Sequence, residues 1–101
     1  MATLTKALFR GAATLTTTTT LYTVPSATTT VVSNIIVSNT GSSDQTFTLS
    51  LAGTLLANAV TLSANSLTSF DIRQVLVATN IIQGGASATA ITFHISGVEI
   101  S

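Results

Sequence analysis

Apolar and polar residues alternate along this chain with a period of two, most clearly between Leu21 and Leu51. In Thr46-Phe47-Thr48-Leu49-Ser50-Leu51 the apolar side chains share one parity and the hydroxyls the other. That is the pattern of a strand with one face in a core and one in water. Upstream, Thr28 to Asn39 carries Val31, Val32, Ile35, Ile36 and Val37 on both parities. This predicts a central strand, buried on one face and partly covered on the other, with a bulge at the Ser33-Asn34 step. Between the two runs, Thr40-Gly41-Ser42-Ser43-Asp44 is turn chemistry: glycine accepts positive φ, and Asp and Ser satisfy local backbone groups.

The same grammar continues. Tyr22-Thr23-Val24 is a strand stopped by Pro25, which cannot donate to a ladder. After the Ala52-Gly53 turn come Thr54 to Ala57 and, beyond Asn58, a short strand from Ala59 to Leu62. Leu67 to Arg73 places Phe70 and Ile72 opposite Ser69, Asp71 and Arg73, and Gln74 to Val77 reads as one helical turn leading into a loop. Thr79 to Gln83 is a short strand, Gly84-Gly85-Ala86-Ser87 the last turn, and Ala90 to Ile100 a closing strand with Ile91, Phe93 and Ile95 inward. Turns at intervals of about eight to twelve residues and roughly seven to eight short strands predict an all-β protein, a small antiparallel β-sandwich, jelly-roll-like or immunoglobulin-like. Its expected core is Val31, Ile35, Phe47, Leu49, Phe70, Ile72, Ile91, Phe93 and Ile95.

Residues 1–20 differ from the rest and are expected to be an N-terminal arm or extension, with the β-sandwich domain spanning 21–101. Before Gly11 nothing alternates strongly, and the run Thr16 to Thr20 is β-prone through its branched Cβ atoms, so it can lead into the strand ending at Val24. Leu4, Leu8 and Phe9 are apolar, lie outside the strand pattern, and are bracketed by Lys6 and Arg10. Leu4, Leu8 and Phe9 fit a helical stripe of a turn or two, a frayed terminus, or an arm that docks on a neighbouring chain; for the arm, these five residues are the candidate assembly contacts.

Composition sharpens the picture in one respect. Charged residues make up 6% of the chain and the formal net charge is zero, whereas soluble domains average about 25% charged. Thr and Ser together supply roughly a third of the residues, far above ordinary usage. Such a surface has little electrostatic protection against association, which fits either a Thr-coated surface that is merely neutral or a part covered by neighbouring subunits.

The inventory of reactive side chains is thin. With no cysteine and one histidine, neither a thiolate site nor a transition-metal ligand set is available, so no cofactor and no metal is expected. His94 sits on an outward parity between Thr92 and Ser96 and reads as a solvated strand residue; no glycine-flanked serine suggests a Ser-His-Asp relay. Asp71 and Arg73 share a strand face and can pair, at small energetic value. Gly84-Gly85 lacks the following helix and lysine of a phosphate cradle. Three basic residues neutralise too few phosphates for nucleic-acid binding. One Tyr and no Trp offer few platforms for sugars, and one Thr run is not the repeated flat array of an ice-binding face. No apolar run reaches the length of about eighteen residues that a membrane span needs. The first twenty residues make a poor secretory signal, which leads to the expectation of a protein made in the cytoplasm and used whole.

The phrase LYTVPSATTTVVSNIIVSNTGSSDQTFTLSLAG, with the ending ITFHISGVEI, resembles small virion structural proteins of tailed bacteriophages. The resemblance covers about Leu21 to Ile100 and leaves the first twenty residues outside it. It implies a structural protein and not an enzyme. The role it implies first is a capsid decoration (cement) protein on the virion, with the major capsid protein and copies of itself as partners, homo-oligomeric on the particle. The alternative is a tail, collar or fibre-base component, in contact with the host surface.

Overall fold

The computed structural model describes residues 3–71 and 73–101. Among them the chain forms nine strands: β1 (Thr3–Ala12), β2 (Thr20–Thr23), β3 (Thr29–Asn39), β4 (Gln45–Leu51), β5 (Thr54–Leu62), β6 (Ser66–Phe70), β7 (Gln74–Leu76), β8 (Ile81–Ala86) and β9 (Ile91–Ile100). One sheet runs β1-β9-β3-β6, with β7 also on β3; the other runs β2-β8-β4-β5. All pairings are antiparallel. β6 and β7 follow one another along the same flank of β3 and act as one edge strand in two segments. Counting that pair once leaves two four-stranded sheets whose strand order is that of a jelly roll. Of the two topologies expected, the strand order selects this one.

The core lies between the sheets. Ile35 and Val37 of β3, Phe47 and Leu49 of β4, Ile82 of β8, and Ile91, Phe93 and Ile95 of β9 are buried. Phe47 bridges the two sheets, its ring centroid 6.4 Å from Phe93 and 6.3 Å from Phe70. Such tilted and edge-on pairs add to the area that the rings bury. The expected core therefore holds at Ile35, Phe47, Leu49, Ile91, Phe93 and Ile95, while Phe70 packs partly buried against it. Ile72 lies outside the described residues.

Val31 is a correction, and its cause is a bulge. The β3–β9 register shifts between Val32 and Asn34, so the extra residue Ser33 reverses the parity of β3. Val32 and Thr30 then face inward with Ile35, and Val31 turns to the outer face opposite Val75 and Val98. A second bulge sits directly across β9, between Ala7 and Phe9 of β1. It puts two consecutive side chains, Leu8 and Phe9, on the inner side, with Leu8 in the core. The two bulges meet over Gly97, where a Cβ would lie 2.4 Å from the Val31 carbonyl oxygen and 3.0 Å from Leu8.

Three local expectations also change. Gln74 to Leu76 is strand, not a helical turn, because β3 offers an unpaired flank there. Gly84 and Gly85 lie inside β8 and not in a turn. A Cβ on Gly85 would come within 2.2 Å of the Thr16 carbonyl oxygen, so the pair allows close approach of the Thr-rich segment. That segment is itself a loop: Thr14 and Thr19 accept from the amides of Ala86 and Gly84, and the residues between turn outward. Its stem is closed by the Thr14 and Thr19 hydroxyls at 2.6 Å. β5 is one strand and not two pieces split at Asn58; it accommodates register shifts and a positive φ at Ala59.

Candidate functional site

The candidate assembly residues fall on the first strand, and the structure separates them. Residues 3–12 are not an extension outside the sandwich; they form a ten-residue edge strand paired along β9. Leu8 is buried and Phe9 packs against the core, so both are used inside the fold and are not contacts held out to a neighbour. The sequence pattern hid this because the bulge breaks the alternation at the point where β1 enters the core. Leu4 remains 56% exposed, Arg10 is exposed on the outer face, and Lys6 turns toward β9.

Lys6 leads into a polar cluster at one end of the sandwich. Its Nζ donates to both Glu99 carboxylate oxygens at 3.4 Å. The Tyr22 hydroxyl donates to Glu99 Oε2 and lies 2.9 Å from the Thr30 hydroxyl. Tyr22 belongs to one sheet, and Lys6, Thr30 and Glu99 to the other, so the cluster clamps the two sheets together. The Tyr22 hydrogen bond holds the Glu99 carboxyl below its usual range; burial opposes this and Lys6 reinforces it. Burial pushes the Tyr22 phenol up, with the adjacent carboxylate adding to the shift. Both shifts keep the proton on Tyr22 and the charge on Glu99 at neutral pH. Lys6–Glu99 is the only ion pair among the described residues, while Asp71 and Arg73 do not pair.

The cluster was missed in the sequence although a signal existed. Glu99 has the same parity as Ile91, Phe93, Ile95 and Gly97 on the closing strand, and a carboxylate on an inward parity needs a partner. Its partner Tyr22 lies 77 residues away, which no local pattern shows.

The outer face of the first sheet is laid out by the strand registers. One row across it is Thr5, Val98, Val31 and Val75; another is Arg10, His94, Ile36 and Ser69. His94 thus stands half-buried on that outer face, beside Arg10 and Ile36. Among the described residues Leu4, Leu15, Leu55, Leu56, Val60, Leu67, Val75 and Val77 are exposed large hydrophobics. Among the same residues, no group of three or more His, Asp or Glu gathers in a way that could hold a metal ion. What the arrangement can do chemically is bind by apolar and hydroxyl contact, with charge confined to a few points. In comparisons with known proteins, no family model and no curated protein matches the chain.

Proposed function

We propose that this protein is a structural component of a bacteriophage virion, a decoration protein that binds the outside of the capsid shell and stabilises it. It acts by contact and not by catalysis, and its partners are the major capsid protein and copies of itself. The observation that carries the reading is the surface. Eight large hydrophobic residues stand exposed among the described residues of a chain that has only three acidic and three basic side chains. With so few charges around them, exposed apolar side chains of that kind offer surface for contact with other proteins. The resemblance of Leu21 to Ile100 to small phage virion proteins supplies the particle. The jelly roll by itself decides nothing, since one architecture hosts many unrelated functions.

The test is reconstitution. The purified protein is added to shells that lack it, and bound copies and the temperature of shell disruption are measured. Saturation at hundreds of copies with a raised disruption temperature is the expected result. Failure to bind shells overturns the reading, and attachment of about a dozen copies at the tail replaces it with the tail-component role.

A further inference from the structure

We infer that the outer face of the β1-β9-β3-β6/β7 sheet is a two-fold interface between copies of this chain, with Arg10 of each copy meeting Asp71 of the other. The inference goes beyond the virion role and does not depend on it. Its basis is the placement of charge and apolar surface on this sheet.

Arg10 lies on β1, at one edge, in the row that continues through His94 and Ile36 to Ser69 on β6. Asp71 is exposed in the break after β6, at the opposite edge and two residues beyond Ser69, about 7 Å along the strand. Neither has an ion-pair partner among the described residues. Strands are spaced about 4.8 Å apart, so the two charges lie about 7 Å on either side of the midline between β9 and β3.

A two-fold axis along that midline, parallel to the strands, turns a second copy face to face with the first. Heights along the strands are preserved and the strand order is reversed. β1 then lies over the second copy's β6 and β7, and β9 over its β3. Arg10 comes within reach of the second copy's Asp71, and the reverse pair forms at the other edge. Beyond the intervening row of Ala7, Ser96 and Asn34, Val31 and Val98 lie side by side, so the same operation sets each Val31 on the other copy's Val98. Exposed Val75 and Val77 extend that apolar row at the edge. An isologous interface requires this self-complementarity.

Charge complementarity also selects the occupant. A partner of one sign would satisfy Arg10 or Asp71 and oppose the other, whereas a second copy satisfies both. Arg73, further along the same loop, lies toward the apolar row and away from the second copy's Arg10. The sheet face measures roughly 20 by 30 Å, or about 600 Å² per copy, toward the small end for a specific interface. The dimer is therefore weak in free solution and strengthened where many copies are held close together.

The experiment is sedimentation of the free protein at low ionic strength over a wide concentration range. The parent is expected to show a concentration-dependent monomer–dimer equilibrium. Arg10→Asp and Asp71→Arg each create two like-charge contacts, so each should raise the dimer dissociation constant about tenfold or more. The double variant should return to within about threefold of the parent, the coupling expected of residues in contact. Val31→Asp should abolish the dimer, and circular dichroism confirms that each variant is folded. A parent that is monomeric up to the millimolar range overturns the inference, as does a dimer indifferent to both single substitutions or a double variant without rescue. If the chain is monomeric alone and Arg10→Asp prevents shell binding, the face belongs to the shell protein; the inference then fails while the virion role stands.

Discussion

The two ends of the sandwich are closed by polar groups of different kinds. At one end Asn39, 1% exposed, donates to the carbonyls of Ser43 and Leu62 at 2.9 and 3.1 Å and accepts from the Gly41 amide at 2.9 Å. A neutral amide there supplies donors and an acceptor at once, tying the β3–β4 turn to the end of β5. At the other end, the Tyr22–Glu99–Lys6 cluster spans the sheets with one partly enclosed carboxylate. Both ends satisfy polar groups within the fold, Asn39 fully buried and Glu99 only partly, but only the second depends on a titratable charge. The amide end should hold at any moderate pH, and the ionic end should loosen at both extremes.

The largest effect is expected at the amide end. Asn39→Ala removes partners from the Gly41 amide and two carbonyls, and buried groups left unpaired cost about 1–3 kcal/mol each. A loss of about 2–4 kcal/mol in denaturant unfolding follows, with the same deficit at pH 5 and pH 8. A deficit that varied strongly with pH would erase the distinction between the ends.

Glu99→Gln should have a smaller effect, about 1–2 kcal/mol at pH 7, because the amide still accepts from Tyr22. Its pH signature is the sharper test. The folded-state pKa of Glu99 is lowered, so its contribution is present above the unfolded carboxylate pKa of about 4.3 and fades as pH falls through the folded value. The folded-state pKa of Tyr22 is raised, so its contribution is present below about pH 10 and fades as pH rises through the folded value. Unfolding free energy measured from acid to alkaline pH should show a neutral plateau with two falling limbs. Glu99→Gln should flatten the acid limb; an unchanged acid limb would assign it to other carboxylates.

The smallest effect is expected for Lys6→Met. The ammonium is 44% exposed and 3.4 Å from the carboxylate, so the pair contributes about 0–1 kcal/mol and is screened by salt. A loss that persists unchanged in molar salt would show that the lysine stem, and not its charge, holds the β1 edge.

How much of this was legible follows from where the information lies. The strands β3 and β4 and the turn between them could be read directly, because Phe47, Leu49 and Leu51 alternate cleanly and Asn39 to Asp44 is turn chemistry; that the two strands belong to different sheets could not. The two-residue turn at Ala52-Gly53 was equally local; both residues adopt positive φ, 51° and 80°, and glycine takes the second without strain. The candidate site was legible only in fragments. Lys6 and Arg10 stood out as rare charges, but a bulge in β1 turned Leu8 inward and left Arg10 on the outer face.

The sequence by itself determined the all-β class, most of the inward residues and a surface nearly free of charge, because alternation, turn chemistry and composition are properties of neighbouring residues. Only the tertiary structure decided that residues 3–12 belong to the sheet, that Val32 and not Val31 faces the core, and that Gly84 and Gly85 lie within a strand under the Thr loop. It alone joined Tyr22 to Glu99 and set Arg10 and Asp71 at opposite edges of one sheet. The physical reason is that inward or outward placement is reversed by a single extra residue, and where that residue goes is settled by the strand it pairs with, however distant in the chain.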